Sequence, residues 1–247
     1  MPKPLPDDVS AGPIVIFNLE SLLVDTVAGV RRALDSVARL RGHSGFPKLS
    51  QEDLRSRSLG DLIGNMTCGT DATLAAEFVE HYWRVYEQQA RYQAPLLPGA
   101  KGLIGLLPNL ASELHYLSTA GPEVATRLAH VHGLQQTLTS VYTPPTAVCS
   151  RARGVLLEQF FRTQDVAPSN CVVVSDCVTE LYAAQRLGVA ALALGYGHSP
   201  LQALESVAGV IGVAHSPRDV AVWLSAQSMA RRCLRAMTRR PSTHYLH

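Results

Sequence analysis

Four consecutive apolar residues, Ile14-Val15-Ile16-Phe17, followed at once by Asn18-Leu19-Glu20-Ser21, constrain this chain more than any other stretch. An unbroken apolar run of that length reads as a strand buried on both faces, the pattern of a parallel sheet covered by helices. In open α/β sheets ligands bind outside the carboxyl ends of the strands, so Asn18, Glu20 and Ser21 fall where functional side chains collect. With 247 residues, 47% of them hydrophobic, the chain can bury one sizeable core and still carry a smaller lobe.

The rest of the chain divides around that strand. Residues 1–12 hold three prolines and two aspartates and no apolar anchor, so a flexible leader is expected rather than a signal peptide. Val27, Val30, Leu34, Val37 and Leu40 recur at helical spacing, with Asp25-Thr26 as the cap. Two more helices are expected within 49–66 and 73–92, the first opened by a capping box of Ser50 and Asp53. Residues 27–94 thus read as an all-helical insert. Residues 13–26 and 95–225 form the α/β part, resumed at the Pro98-Gly99 turn by a helix packing through Leu103, Leu106 and Leu107. A short strand ends at Ser118-Thr119. The run Cys171 to Val174 is a second buried strand with Asp176 at its carboxyl end, and a last strand covers 209–213.

Charge and cysteine content exclude several classes. A net charge of +2 with 17% charged residues does not point to nucleic acid as the main partner. Five scattered cysteines without a C-x-x-C pair favour neither a disulfide framework nor a zinc site, and buried free thiols in a reducing compartment are expected. No apolar run reaches the roughly 20 residues that span a membrane. The cytoplasm is the expected location. The tail, 226–247, carries Arg231, Arg232, Arg235, Arg239 and Arg240 with no acidic residue. It reads either as a solvated terminus or as a basic amphipathic helix for an acidic partner, nucleic acid or an anionic surface.

The segment from Ile14 to Thr26 resembles the first motif of the haloacid dehalogenase (HAD) superfamily, phosphoglycolate phosphatase-like branch: apolar strand, Asp-x-Asp-Gly-Thr, and an Asp-Thr/Ser further on. The resemblance runs from about residue 14 to 225 and implies a HAD-like Rossmannoid α/β core of five or six parallel strands, with a helical cap inserted after the first strand. In that pattern Asn18 stands at the place of the nucleophilic Asp, Glu20 at that of the acid/base Asp, Ser21 at the Gly and Leu22 at the Thr. Thr119, or Ser118, matches the phosphate-binding hydroxyl of the second motif. Arg153, with Arg151 competing, occupies about the place of the third-motif lysine. In the fourth motif Ser175 replaces a Gly, Asp176 is kept and Glu180 stands for a second Asp.

The resemblance implies Mg2+ as the cofactor of an active member, held here by Asp176, Glu180, Asn18 and Glu20, and a small phosphorylated molecule or anion as ligand. The residues present argue against the usual chemistry. An amide is a poor nucleophile and removes one negative charge from the metal site. Glu20 extends its carboxylate by a methylene, and a misplacement of about 1 Å can cost ~100-fold in rate. Two function classes are therefore expected: a catalytically degenerate HAD-fold protein that binds a ligand, a protein partner or a second copy of itself, and, as the alternative, an active phosphatase of a small phosphate ester with altered residues.

Overall fold

The computed structural model describes residues 12–40, 42–50, 53, 59–64, 72–146 and 152–238. Strands β1 (Ile14–Phe17), β2 (Glu113–Leu117), β3 (Ser140–Tyr142), β4 (Cys171–Ser175), β5 (Ala190–Leu194) and β6 (Val210–Ala214) form one sheet in the order β3-β2-β1-β4-β5-β6. All five pairings are parallel. The order reverses at β1, so the crevice between the ends of β1 and β4 is the topological switch point at which such sheets bind ligands.

The apolar run of β1 is explained by its two faces. Val15 and Phe17 pack on one side with Leu103, Leu107, Val220 and Leu224. Ile14 and Ile16 pack on the other with Leu156, Leu157 and Phe160. Successive side chains alternate across a strand, so burial on both faces demands the unbroken apolar sequence seen here. Helices α5 (Ala100–Leu110), α6 (Pro122–Val131) and α10 (Pro217–Thr238) cover the first face, while α7 (Arg153–Thr163), α8 (Val178–Arg186) and α9 (Leu201–Glu205) cover the second.

Between β1 and α5 the chain builds a short α1 (Leu19–Leu23), a long α2 (Thr26–Leu40), α3 (Leu59–Gly64) and α4 (Ala72–Val85), which continues into a π-helical turn, Tyr86–Ala90. These helices hold their own small core, with Leu34, Val37, Ile63 and Phe78 at its centre. Entry and exit are stitched together: Asp25 N–H donates to Pro95 O at 2.8 Å and Leu97 N–H to Leu23 O at 2.8 Å, around an antiparallel bridge of Val24 with Leu96.

Several expectations are refined. The helix over 26–40 and its Asp25 cap are present, Asp25 Oδ1 accepting from Ala28 N–H. The box of Ser50 and Asp53 forms in both directions. α1 replaces an expected loop, because Asn18 caps it. β3 had no expected counterpart, being only three residues long. Leu106 is 46% exposed, because Ala100, Leu103, Leu107 and Leu110 already define the buried stripe of α5 and Leu106 lies on its flank. The last strand begins one residue late, since Gly209 takes a left-handed turn at φ +95°. The closing helix does not stop near residue 225 but runs on to Thr238, so the basic segment continues it through Arg231. Residues 1–11, Arg151, Arg239 and Arg240, most of 51–71, and the side chains of Arg232 and Arg235 lie outside what is described. Of the cysteines described, Cys171 is buried, with a thiol that burial pushes up to about 11, but Cys177 is only half-buried and Cys233 is exposed. No helix among the described residues is long and apolar enough to cross a membrane.

Candidate functional site

At the end of β1, Asn18 leaves the sheet in extended conformation and turns the chain into α1. Its Oδ1 accepts from Glu20 N–H at 3.1 Å and Ser21 N–H at 3.2 Å, while its amide nitrogen donates to Leu117 O at 3.0 Å. Both ends of the side chain are thereby engaged: one caps a helix, the other ties β1 to the end of β2. Asn18 is 2% exposed. Glu20 turns the other way and receives a two-pronged ion pair from Arg91, 2.7 Å from Nε to Oε1 and 2.6 Å from Nη2 to Oε2. Arg91 follows the π-helical turn, so this pair fastens the returning chain to α1. Burial works against the Arg91 charge, but the Glu20 carboxylate outweighs it.

At the end of β4, Asp176 is 2% exposed. Its Oδ1 accepts from Arg153 Nη1 at 2.8 Å, and its Oδ2 accepts from the backbone N–H of His198 at 3.0 Å and lies 3.0 Å from His198 Nδ1. The same Nη1 of Arg153 donates to Ser21 Oγ at 3.0 Å, so this one guanidinium joins the ends of β1 and β4. Burial would raise the Asp176 carboxyl's pKa, yet the His198 hydrogen bond and the Arg153 charge outweigh it and hold the group well below the usual carboxylate range. Arg153 is likewise held in its charged form, with Asp176 and then Glu180 offsetting the effect of burial.

Two glycines let these groups meet. A Cβ on Gly197 would stand 2.1 Å from Asp176 Cβ, so only glycine allows the loop after β5 to lie against Asp176 and deliver the His198 N–H. A Cβ on Gly154 would fall 2.6 Å from Thr179 O, so α7 crosses α8 closely enough to bring Arg153 down onto Asp176. With His198 Nδ1–H donating to the carboxylate, Nε2 accepts from the hydroxyl of Thr26, 3.2 Å away at the start of α2. His198 thus links the sheet to the inserted helices.

The remaining expected residues are placed as follows. Ser118, 1% exposed, accepts from Ala120 N–H at 3.2 Å and shapes the turn after β2. Thr119 is half-buried beside it. Glu180 is buried beneath the site and receives Ser175 Oγ–H at 2.5 Å, and burial pushes its carboxyl up. Arg153 therefore meets Ser21 and Asp176, whereas Glu20 and Glu180 turn to other partners.

A cleft of about 480 Å3 opens over Arg153 and Asp176. Its floor adds Cys177, His198 and Ser199, and its far wall is Val30, Tyr82, Trp83 and Tyr86 of the inserted helices. Sequence reasoning did not find Arg91, His198, Trp83 or Tyr86 as site residues. The Gly-Tyr-Gly turn ahead of His198 was a usable signal. Arg91 had none, since it meets Glu20 across 71 positions.

Magnesium wants oxygen ligands in near-octahedral order and keeps several waters. The residues implied for it do not offer that. The Asn18 oxygen caps α1, both oxygens of Glu20 face Arg91, Glu180 is bound by Ser175, and both oxygens of Asp176 already accept from N–H groups. Among the described residues no group of three His, Cys, Asp or Glu side chains could hold a metal ion. The implied metal does not fit the residues as they are arranged; the cation beside Asp176 is Arg153.

Comparison with known proteins agrees with this architecture. No model of a protein family matches the chain. A phosphoglycolate phosphatase of Chromobacterium violaceum is 24% identical over 199 residues, 77% of this chain and 88% of that protein. A 5'-nucleotidase of Pseudomonas aeruginosa is 25% identical over 194 residues, 75% of this chain and 83% of that protein. Among solved structures, a haloacid dehalogenase-like hydrolase of Streptococcus pneumoniae superposes with a TM-score of 0.65 at 21% identity, over 86% of this chain and 98% of that one. A HAD-superfamily hydrolase of Geobacter sulfurreducens gives 0.65 at 14% identity, over 89% and 100%. The chain thus has the fold of the haloacid dehalogenase-like hydrolases, and its sequence is similar to those of phosphoglycolate phosphatases.

Proposed function

We propose that this chain is a HAD-fold binding protein: it takes a small oxyanion-bearing molecule between the sheet and a cap formed by the inserted helices, and does not form an aspartyl-phosphate. The observation that carries this reading is the state of the two strand ends. Asn18, at the nucleophile's place, is neutral and has both its oxygen and its nitrogen committed to backbone groups. An amide so held neither attacks phosphorus nor becomes an acyl-phosphate. Glu20, at the acid/base place, is clamped by Arg91 and would have to break two charge-assisted hydrogen bonds to reach a leaving oxygen.

Arg153 and Asp176 hold the ends of β1 and β4 in register, and Arg153 supplies the positive charge that a phosphate or carboxylate meets. His198 and Thr26 hold the inserted helices against the sheet. No step is assigned to a metal. The second reading, an active phosphatase of a small ester, draws support from the phosphatase and nucleotidase names of the sequence relatives and from the kept, ionised Asp176.

Hydrolysis separates the two. Phosphate release from p-nitrophenyl phosphate and from phosphoglycolate is measured with Mg2+ for the chain as it stands, for Asn18→Asp and for Asp176→Asn. The proposal expects all three at the level of buffer. Turnover by the unmodified chain that disappears in Asp176→Asn would overturn it in favour of the phosphatase.

A further inference from the structure

The wall of the cleft opposite Arg153 is aromatic, and packing accounts for only part of it. Tyr82 is 4% exposed and belongs to the small core of the inserted helices. Trp83 is 46% exposed although it is the neighbouring residue on the same helix. The three rings are ordered together: Tyr82 and Tyr86 stack at 5.8 Å with 6° between planes, and Trp83 meets both edge-on, at 5.3 and 6.0 Å. α4 changes to a π-helical turn at Tyr86. Such turns are rare and occur frequently at functional sites. The exposed face of this cluster looks across the cleft to Arg153 and His198.

Among the described residues Arg153 hydrogen-bonds through Nη1 alone, and its Nε is buried with no hydrogen-bond partner. A guanidinium offers five N–H donors in a planar fork matched to phosphate and carboxylate. At about 480 Å3 the cleft lies within the range of small-molecule sites, roughly 300–1,000 Å3. One wall suits a flat π-system, and the floor carries a cation that needs no added metal.

We infer that the cleft takes an organic oxyanion bearing a planar ring, of the nucleoside monophosphate class, with the ring against Trp83 and Tyr86 and the anion on Arg153, and that it does so without a divalent cation. This rests on the reading of the site as an oxyanion binder and adds the ligand class and the metal independence. Phosphoglycolate, which has no ring, uses only the floor. A nucleoside alone uses only the wall.

The test is titration calorimetry of the full chain with adenosine 5'-monophosphate, ribose 5-phosphate and adenosine, each in EDTA and in Mg2+, with released phosphate assayed in the same samples. Base stacking on an aromatic side chain is worth on the order of tenfold or more in affinity. The monophosphate is therefore expected to bind at least about tenfold tighter than either fragment, equally in EDTA and Mg2+. Trp83→Ala should lower its affinity to that of ribose 5-phosphate, with Trp83→Phe restoring much of the loss and both variants keeping the native circular dichroism. Absence of binding, equal affinity for the monophosphate and ribose 5-phosphate, or binding only in Mg2+ would overturn the inference while leaving the non-hydrolytic reading standing. Tight binding accompanied by phosphate release would instead overturn that reading and support the ring-plus-anion assignment.

Discussion

The ends of β1 and β4 lie side by side at the same topological position, yet their polar groups serve opposite ends. At β1 two side chains are tied to other parts of the chain: Asn18 holds α1 and Leu117, and Glu20 holds the returning chain through Arg91. At β4 the ion pair of Asp176 with Arg153 faces a cleft and keeps its charges. On the proposed reading, one strand end serves as a structural joint while its neighbour faces the ligand. The difference is visible only when each side-chain atom's partner is named.

The largest effect should come from the β4 side. Asp176→Ala leaves the Arg153 charge buried without the Asp176 carboxylate and removes the one oxygen that meets both the backbone N–H and Nδ1 of His198, so urea denaturation should show a loss of about 3–5 kcal/mol. The pH dependence follows from the depressed Asp176 value. A carboxyl whose pKa is lower in the folded state stabilises fully above its unfolded value, near 3.9, and loses that contribution as pH falls below it. The stability gap between the native chain and Asp176→Asn should therefore be constant from about pH 5 to 8 and close below about pH 4.

On the β1 side Glu20→Ala comes next. Its carboxylate is 12% exposed and its partner 15%, so losing the two-pronged pair should cost about 2–3 kcal/mol, read from the denaturation midpoint. A matching fall from Arg91→Met, and less than the sum for the double variant, would confirm that the two act as one joint. Asn18→Asp should cost roughly 1–2 kcal/mol, because the carboxylate still caps α1 but faces Leu117 O with no proton to donate. A gain in stability from that change would break the view of Asn18 as a joint. Smallest of all, Trp83→Ala should cost about 1 kcal/mol or less, since its half-exposed ring gives up only its edge contacts with Tyr82 and Tyr86.

Much of the sheet was legible because burial on both faces writes itself as apolar runs: β1 was expected at its observed bounds, and β4 extends the expected run only by Ser175. β3 escaped notice because its three residues lie at the sheet's edge, none of them buried, and carry no such run. α1 escaped because a five-residue helix has too few positions to show periodicity, and Asn18 could be matched to a motif before it could be seen as a cap. Asp176 and Arg153 were each singled out by place in the chain. Their mutual contact was not, since it depends on α7 crossing α8 at Gly154 and on a guanidinium reaching across 23 positions. Glu20 with Arg91, and Asp176 with His198, are pairings between distant loops, which no local pattern encodes.

The central claim is that Arg153, not a metal ion, answers the charge of Asp176. Calorimetric titration of the unliganded full chain with Mg2+ at neutral pH tests it most directly. The account predicts no saturable heat, because no oxygen set of the kind magnesium needs is free there. A saturable site that vanishes in Asp176→Asn would contradict it, and would return this strand end to the metal-dependent chemistry that the family resemblance implies.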